Sequence, residues 1–442
     1  MGSLAVDGQG DMALGYSTSS SVAFPSIAYS GRLVTDTLNQ LPQSETPLVA
    51  GAGSQTNKDS SNTFISRWGD YSAMSIDPSD DCTFWYTTEY YDTQTHGTAG
   101  NWQTRIGAFK FPGCVGPASK LAFTQQPNSS YASGATITVK VSVEDFNGNV
   151  VTGDTSAVTL ALSGGTGGAV LSGTKTVSAV AGVATFSTLS VNKVGTSYVL
   201  NATDASLTAA ASSAFNITVG AAKTVTFTTQ PATNSNIAAG TTMPLVAHVV
   251  DGGGNPVPGQ SITLSILNNP GSSTLSVTTN PVATNASGDA TFANVSLNKV
   301  GTGYTLKATD TTTPAATPAA SNAFNIVAGA ATKLVFTTQP TNVNAGHALN
   351  TIAVQEEDAF GNFVNDNGNV DFTVPACGGS TDLGTVAMLN GAASLKSNKR
   401  FYTVTNNLQV TATATAANDT STAFSVLAGD LLFADGFDGC RL

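Results

Sequence analysis

The chain is short of charge, histidine and cysteine. Of its 442 residues only 10% are charged, three are His and four are Cys. So little Glu, Lys and Arg disfavours helices, and the abundant Thr, Ser, Ala, Gly and Asn favour short strands joined by turns. The 17 basic residues face 28 acidic ones, a net charge of −11, and form no cluster. That argues against nucleic acid and anionic membrane as partners. No apolar run reaches the roughly 18 residues of a membrane span. Met1 to Asp7 has neither the basic nor the apolar region of an export signal, so the chain is expected to begin inside a longer parent.

Catalytic and cofactor signatures are equally sparse. His96, His248 and His347 fall in three different segments, and no G-x-S-x-G elbow accompanies them. Gly164 to Gly168 is rich in glycine but lacks a following G-K-[ST], which makes it a turn and not a phosphate cradle. Cys82, Cys114, Cys377 and Cys440 form no C-x-x-C and have no histidine at ligand spacing, so no metal and no other cofactor is expected.

What the chain does have is repetition. Lys120-Leu-Ala-Phe-Thr-Gln-Gln-Pro127 returns in altered form as Lys223 to Pro231 and as Lys333 to Pro340. From Pro127 to Pro231 is 104 residues, and from Pro231 to Pro340 is 109. A D-x-x-G-N turn follows in each copy, at Asp145–Asn149, Asp251–Asn255 and Asp358–Asn362, and each copy ends on a strand around Phe215, Phe324 or Phe424. The first two also share Val191-Asn-Lys-Val-Gly-Thr-Ser-Tyr198 and Leu297-Asn-Lys-Val-Gly-Thr-Gly-Tyr304, whereas the third has Asn398-Lys-Arg-Phe-Tyr402.

Ile137, Val139, Val141 and Val143 alternate with Thr138, Lys140, Ser142 and Glu144, the period of a half-buried strand. Asp145 to Asn149 then supplies turn-capping side chains and a glycine free to take positive φ. Asp145, Asn147 and Asn149 also copy the opening spacing of a calcium loop. The turn is preferred, because no bidentate glutamate follows and Asp251–Asn255 has glycine in the middle position.

Together with Gly182 to Phe186 and Gly254-Asn-Pro-Val-Pro-Gly259, these landmarks resemble the bacterial immunoglobulin-like repeats of large surface proteins of the invasin and intimin class. The resemblance implies an all-β chain of three tandem β-sandwiches, each of about 100 residues, at 117–220, 221–330 and 331–428. It names no activity, since one fold hosts many. The short junctions around Gly220-Ala221-Ala222 and Gly329-Ala330-Ala331 restrict how far neighbours swing. The expectation is a non-catalytic stalk or adhesive module at the bacterial surface or outside the cell, with a cell-surface glycan or protein as partner and the oligomeric state open.

Residues 1–116 hold all three tryptophans and read as hairpins: 3–6 with 12–16, and 71–76 with 83–86. They resemble the last blades of a sialidase-like β-propeller, about two of the at least four that closure needs. That resemblance implies, as the alternative, a glycan-acting hydrolase with accessory sandwiches, its site drawn from Arg32, Arg67, Arg105, Tyr90, Glu89 and Asp70. Against it, the S-x-D-x-G-x-x-W box of that family is only distantly echoed by Ser79 to Trp85, and Arg67 to Tyr71 is read in preference as a structural blade-edge motif with an internal ion pair. Cys82 precedes a strand and Cys114 follows another, so a bridge between them would staple the last strand to its hairpin. Cys377 and Cys440 have no assigned partner. The tail 429–442 resembles the F-x-D-G-F endings of some secreted proteobacterial proteins, readable as a processing tag or as an unpaired end.

Overall fold

A computed structural model describes residues 1–55, 58–64, 69–92, 102–165, 167–376, 379–415 and 417–429. Arg67, His96, Cys377, Cys440 and the tail from 430 onward lie outside the described residues. Every regular element among the described residues is a strand, and the chain is all-β. No helix among them is long and apolar enough to cross a membrane. The chain divides into two compact units, Met1–Gly220 and Ala221–Leu442.

The first unit opens with a four-stranded antiparallel meander, β1 (Ser3–Val6), β2 (Met12–Ser20), β3 (Ala23–Arg32) and β4 (Gln43–Val49). A three-stranded sheet follows, β5 (Ala73–Ile76), β6 (Phe84–Tyr90) and β7 (Gln103–Phe109). β3 and β4 carry Pro25 and Pro47, which mask the strand pattern; β4 is an edge strand, where a missing N–H is tolerated. The two sheets pack through glycines. A Cβ on Gly15 would strike the Tyr86 ring, and one on Gly31 the Phe111 ring. Phe84 and Phe111 are buried there, and Tyr29 stacks on Phe109. A disulfide joins Cys82 to Cys114, both buried, with Cα atoms 5.8 Å apart.

Ten further strands complete this unit: β8 (Lys120–Gln125), β9 (Ser130–Ala132), β10 (Ile137–Glu144), β11 (Ala157–Gly164), β12 (Leu171–Ser172), β13 (Thr176–Ser178), β14 (Val183–Val191), β15 (Gly195–Thr203), β16 (Ala210–Ala211) and β17 (Phe215–Thr218). One sheet runs β12-β14-β10-β8; the facing one runs β13-β11-β15-β17-β9, with β9 parallel to β17. That strand order is the immunoglobulin-like sandwich. Ile137, Val139, Val141 and Val143 are wholly buried against Phe186, Tyr198 and Phe215, each large side chain contributing about 2 kcal/mol by leaving water. The outer face of β10 departs from the alternation at one place. Ser142 is buried too, its hydroxyl donating to Glu144 Oε1 at 2.7 Å.

The second unit repeats the plan. Ala222–Thr229, Met243–Asp251, Asp289–Leu297 and Leu275–Ser276 form one sheet; Asn236–Ala238, Phe324–Val327, Gly301–Asp310, Ser261–Asn268 and Val282–Ala283 form the other. In the third repeat Lys333–Thr338, Ile352–Glu357 and Ala392–Leu395 pair, while Asn369–Ala376 and Gly379–Ala387 make a long hairpin beside Thr411–Thr413. The departure at residues 398–402 has a packing reason. Tyr198 and Tyr304 stand opposite Phe215 and Phe324, but Leu408 stands opposite Phe424, and Phe401 supplies the missing ring edge-on at 5.8 Å.

Candidate functional site

The residues that recur without lining a core are those of the D-x-x-G-N loops. Each begins where a core strand ends, and its glycine has positive φ, +90° at Gly148 and +74° at Gly361, which folds the asparagine back onto the aspartate. In the first unit Asp145 is wholly buried. Its Oδ1 accepts the Asn149 N–H at 2.8 Å; its Oδ2 accepts Asn149 Nδ2 at 2.9 Å and the main-chain N–H of Gly116 at 3.0 Å. Burial pushes this carboxyl up, and the donors of Asn149, Gly116 and Asn147 outweigh it, holding the group below the ordinary Asp range.

The loop also grips the preceding segment. Asn147 Nδ2 donates to Asp80 at 3.2 Å, beside the Cys82–Cys114 disulfide. Asp80 accepts further bonds from the Cys82 and Thr83 N–H groups and from the Thr83 hydroxyl. Burial raises Asp80, yet these bonds prevail and bring it down to about 2. A Cβ on Gly116 would strike the Asp80 carbonyl, so the linker has to carry glycine there.

The second unit builds the same clasp between its two sandwiches. Asp358 Oδ2 accepts the Gly329 N–H at 2.9 Å and Asn362 Nδ2 at 2.8 Å; Oδ1 accepts the N–H groups of Phe360 and Asn362, each at 2.9 Å. Here too burial is opposed and overcome by the donors of Asn362, Gly329 and Phe360, so Asp358 lies below its ordinary value. The receiving surface is the N-K-V-G turn of the second repeat. Asn362 Nδ2 donates to the Asn298 carbonyl at 2.9 Å, Val300 N–H to Asn362 Oδ1 at 3.1 Å, and Lys299 Nζ to the Phe360 carbonyl at 2.7 Å. Tyr304 steadies the turn from beneath, its hydroxyl donating to the Lys299 carbonyl at 2.8 Å. The Phe360 ring closes over Gly240, where any side chain would collide with it.

These contacts decide between the two readings of the loop. The Asp145 and Asp358 carboxylates face N–H groups, and Asn149 and Asn362 turn their amide NH2 toward them, the polarity of a turn and not of a cation cage. Among the described residues no three His, Cys, Asp or Glu side chains gather as a metal site. The N-K-V-G turn had no role from sequence. Its signal was its presence in the first two repeats and its loss in the third.

Of the candidate hydrolase residues, Arg105 lies on β7 beside the strand β6 that carries Glu89 and Tyr90, and Arg32 lies on β3. Arg32 donates to the Asp36 carbonyl at 2.9 Å, Arg105 lies exposed on β7, and Glu89 is buried, accepting the Gly69 N–H at 2.9 Å. Tyr90 ends β6, with Asp70 in the segment before β5. Among the described residues no hydrogen bond or ion pair joins Arg32, Arg105, Glu89 and Tyr90 to one another.

No family model matches the chain. No curated protein matches it either. Among solved structures, the Escherichia coli adhesin FdeC is 19% identical, with a TM-score of 0.29, over 72% of this chain and 99% of that one. An I-band fragment of titin is 12% identical, with a TM-score of 0.32, over 71% and 100%. The extracellular cadherin domains of protocadherin gamma B2 are 11% identical, with a TM-score of 0.28, over 97% and 86%. At such scores the fold rests on the strand order and register described above.

Proposed function

We propose that this chain is a non-catalytic, extracellular or surface-exposed stalk or adhesive module of a bacterial protein. In this reading 117–220, 221–330 and 331–428 are immunoglobulin-like sandwiches that hold a head domain away from a surface. Residues 1–116 are the propeller-like end of that head, and a cell-surface glycan or protein is the ligand. The observation that carries it is the clasp: a buried aspartate fixes the linker glycine in front of its own sandwich, Gly116 in one unit and Gly329 in the other. A loop spent in this way favours a stiff joint over a cleft.

The competing hydrolase reading makes an opposite forecast. The full chain incubated with fluorogenic sialosides and other glycosides should release no fluorophore above the blank. Turnover that disappears in Tyr90→Phe or Arg105→Ala would replace the stalk by an enzyme.

A further inference from the structure

The third repeat carries a charge where its siblings carry none. The N–H groups of Val143, Val249 and Glu356 donate to the carbonyls of Gly182, Gly288 and Gly391, and their carbonyls accept from Val151, Val257 and Val364. The three residues therefore occupy one position of the fold. Val143 and Val249 are wholly buried, and Glu356 is only 3% exposed. Its Oε2 is buried with no hydrogen-bond partner among the described residues. An ionised carboxylate left that way is costly unless something positive meets it.

A second exchange accompanies the first. Two residues beyond Val151, Val257 and Val364 stand Gly153, Gly259 and Asp366. Gly391 ties the two acids together, accepting from the Glu356 N–H at 2.9 Å and donating to the Asp366 carbonyl at 2.6 Å. Asp366 is exposed at the rim, so the pair runs from the core to solvent. Burial pushes the Glu356 carboxyl up, and the Asp366 charge adds to the push. The lysine nearest in sequence does not relieve it: Lys333 pairs with Glu357 on the opposite face of the strand.

We propose that Glu356 and Asp366 form a binding site for a hard divalent cation of the calcium class, particular to the third repeat. Such ions take carboxylate, carbonyl, amide and water oxygens in flexible numbers. Around Asp366 the oxygens already accept one bond each: its carbonyl from the Gly391 N–H, its Oδ1 from the Asn367 N–H at 2.7 Å, and Asn367 Oδ1 from the Asn390 N–H at 3.2 Å. Each keeps a second lone pair for a cation, Asn365 is exposed beside them, and the rim admits water. A single ion between the carboxylates would replace their repulsion by attraction.

The test is hydrogen exchange on the full chain at pH 7, followed in the peptide Ile352–Glu357, in calcium chloride, in EDTA, and in sodium chloride of matched ionic strength. Calcium is expected to slow exchange there about ten-fold over EDTA. Glu356→Val and Asp366→Gly, which install the residues of the sibling repeats, should fold and lose the response. Equal protection in calcium and EDTA would overturn the site. So would equal protection in calcium and matched sodium chloride, which would mean screening, or protection gained only on acidification, which would make a proton the occupant.

Discussion

The Gly329 N–H donates to Asp358 Oδ2 at 2.9 Å, across the boundary between two sandwiches. A linker amide is thus bound by the aspartate that opens the next domain's D-x-x-G-N loop, and the same relation holds between Gly116 and Asp145 at 3.0 Å. Holding the linker amide restricts the backbone dihedrals through which a joint would bend.

Removing the acceptor should therefore cost more than a surface substitution. Asp358→Ala leaves the N–H groups of Gly329, Phe360 and Asn362 without their acceptor and takes from Asn362 Nδ2 one of its two. Calorimetry should show the third repeat destabilised by about 3 kcal/mol, the scale of several buried donors left unmade. Asp358→Asn keeps the shape and should lose less.

Acid should loosen the first unit. Asp80 and Asp145 have folded-state values below the ordinary Asp value, so their stabilisation is fully present above about pH 4 and is lost as pH falls through the depressed values. For Asp80, brought down to about 2, the loss amounts to roughly 2 kcal/mol. Denaturant unfolding monitored by tryptophan fluorescence should be constant from pH 7 to about pH 5 as far as these groups are concerned, and should weaken towards pH 2.

Cys82, one end of the Cys82–Cys114 bridge, donates its N–H to Asp80 at 3.0 Å, the same carboxylate that accepts from Asn147. Thiol labelling of the native, oxidised protein should miss both cysteines. Reduction should lower the stability of the first unit by roughly 4 kcal/mol, the chain-entropy value for a closed loop spanning 32 residues.

Tyr304→Phe removes only the hydroxyl that holds the Lys299 carbonyl. We expect a loss of about 1 kcal/mol in the second repeat. Amides of the N-K-V-G turn should exchange faster, while those of the core strand Met243–Asp251 keep their protection.

Repeats and their strands are legible in the sequence because period-2 alternation and burial are one phenomenon, as along Ile137 to Glu144. The clasp is not, because D-x-x-G-N encodes a turn through its own side chains and nothing local reveals that Gly116 or Gly329 completes it. β3 and β4 escape notice because Pro25 and Pro47 break their strand pattern. Glu356 stands in phase with Ile352 and Val354, the inward positions of its strand, but its charge within Gln355-Glu356-Glu357 argues against burial, and the hydrogen-bond register with Val143 and Val249 shows that it occupies a core position.

The stiff joint is tested most directly by pulsed electron paramagnetic resonance on the full chain, with Cys377 and Cys440 replaced by serine and spin labels at the exposed positions Ser265 and Ser394. The clasp predicts one narrow distance distribution that broadens severalfold in Asp358→Ala. A wild-type distribution already as broad as the variant's would mean that the clasp does not stiffen the joint, and the stalk reading would lose its support.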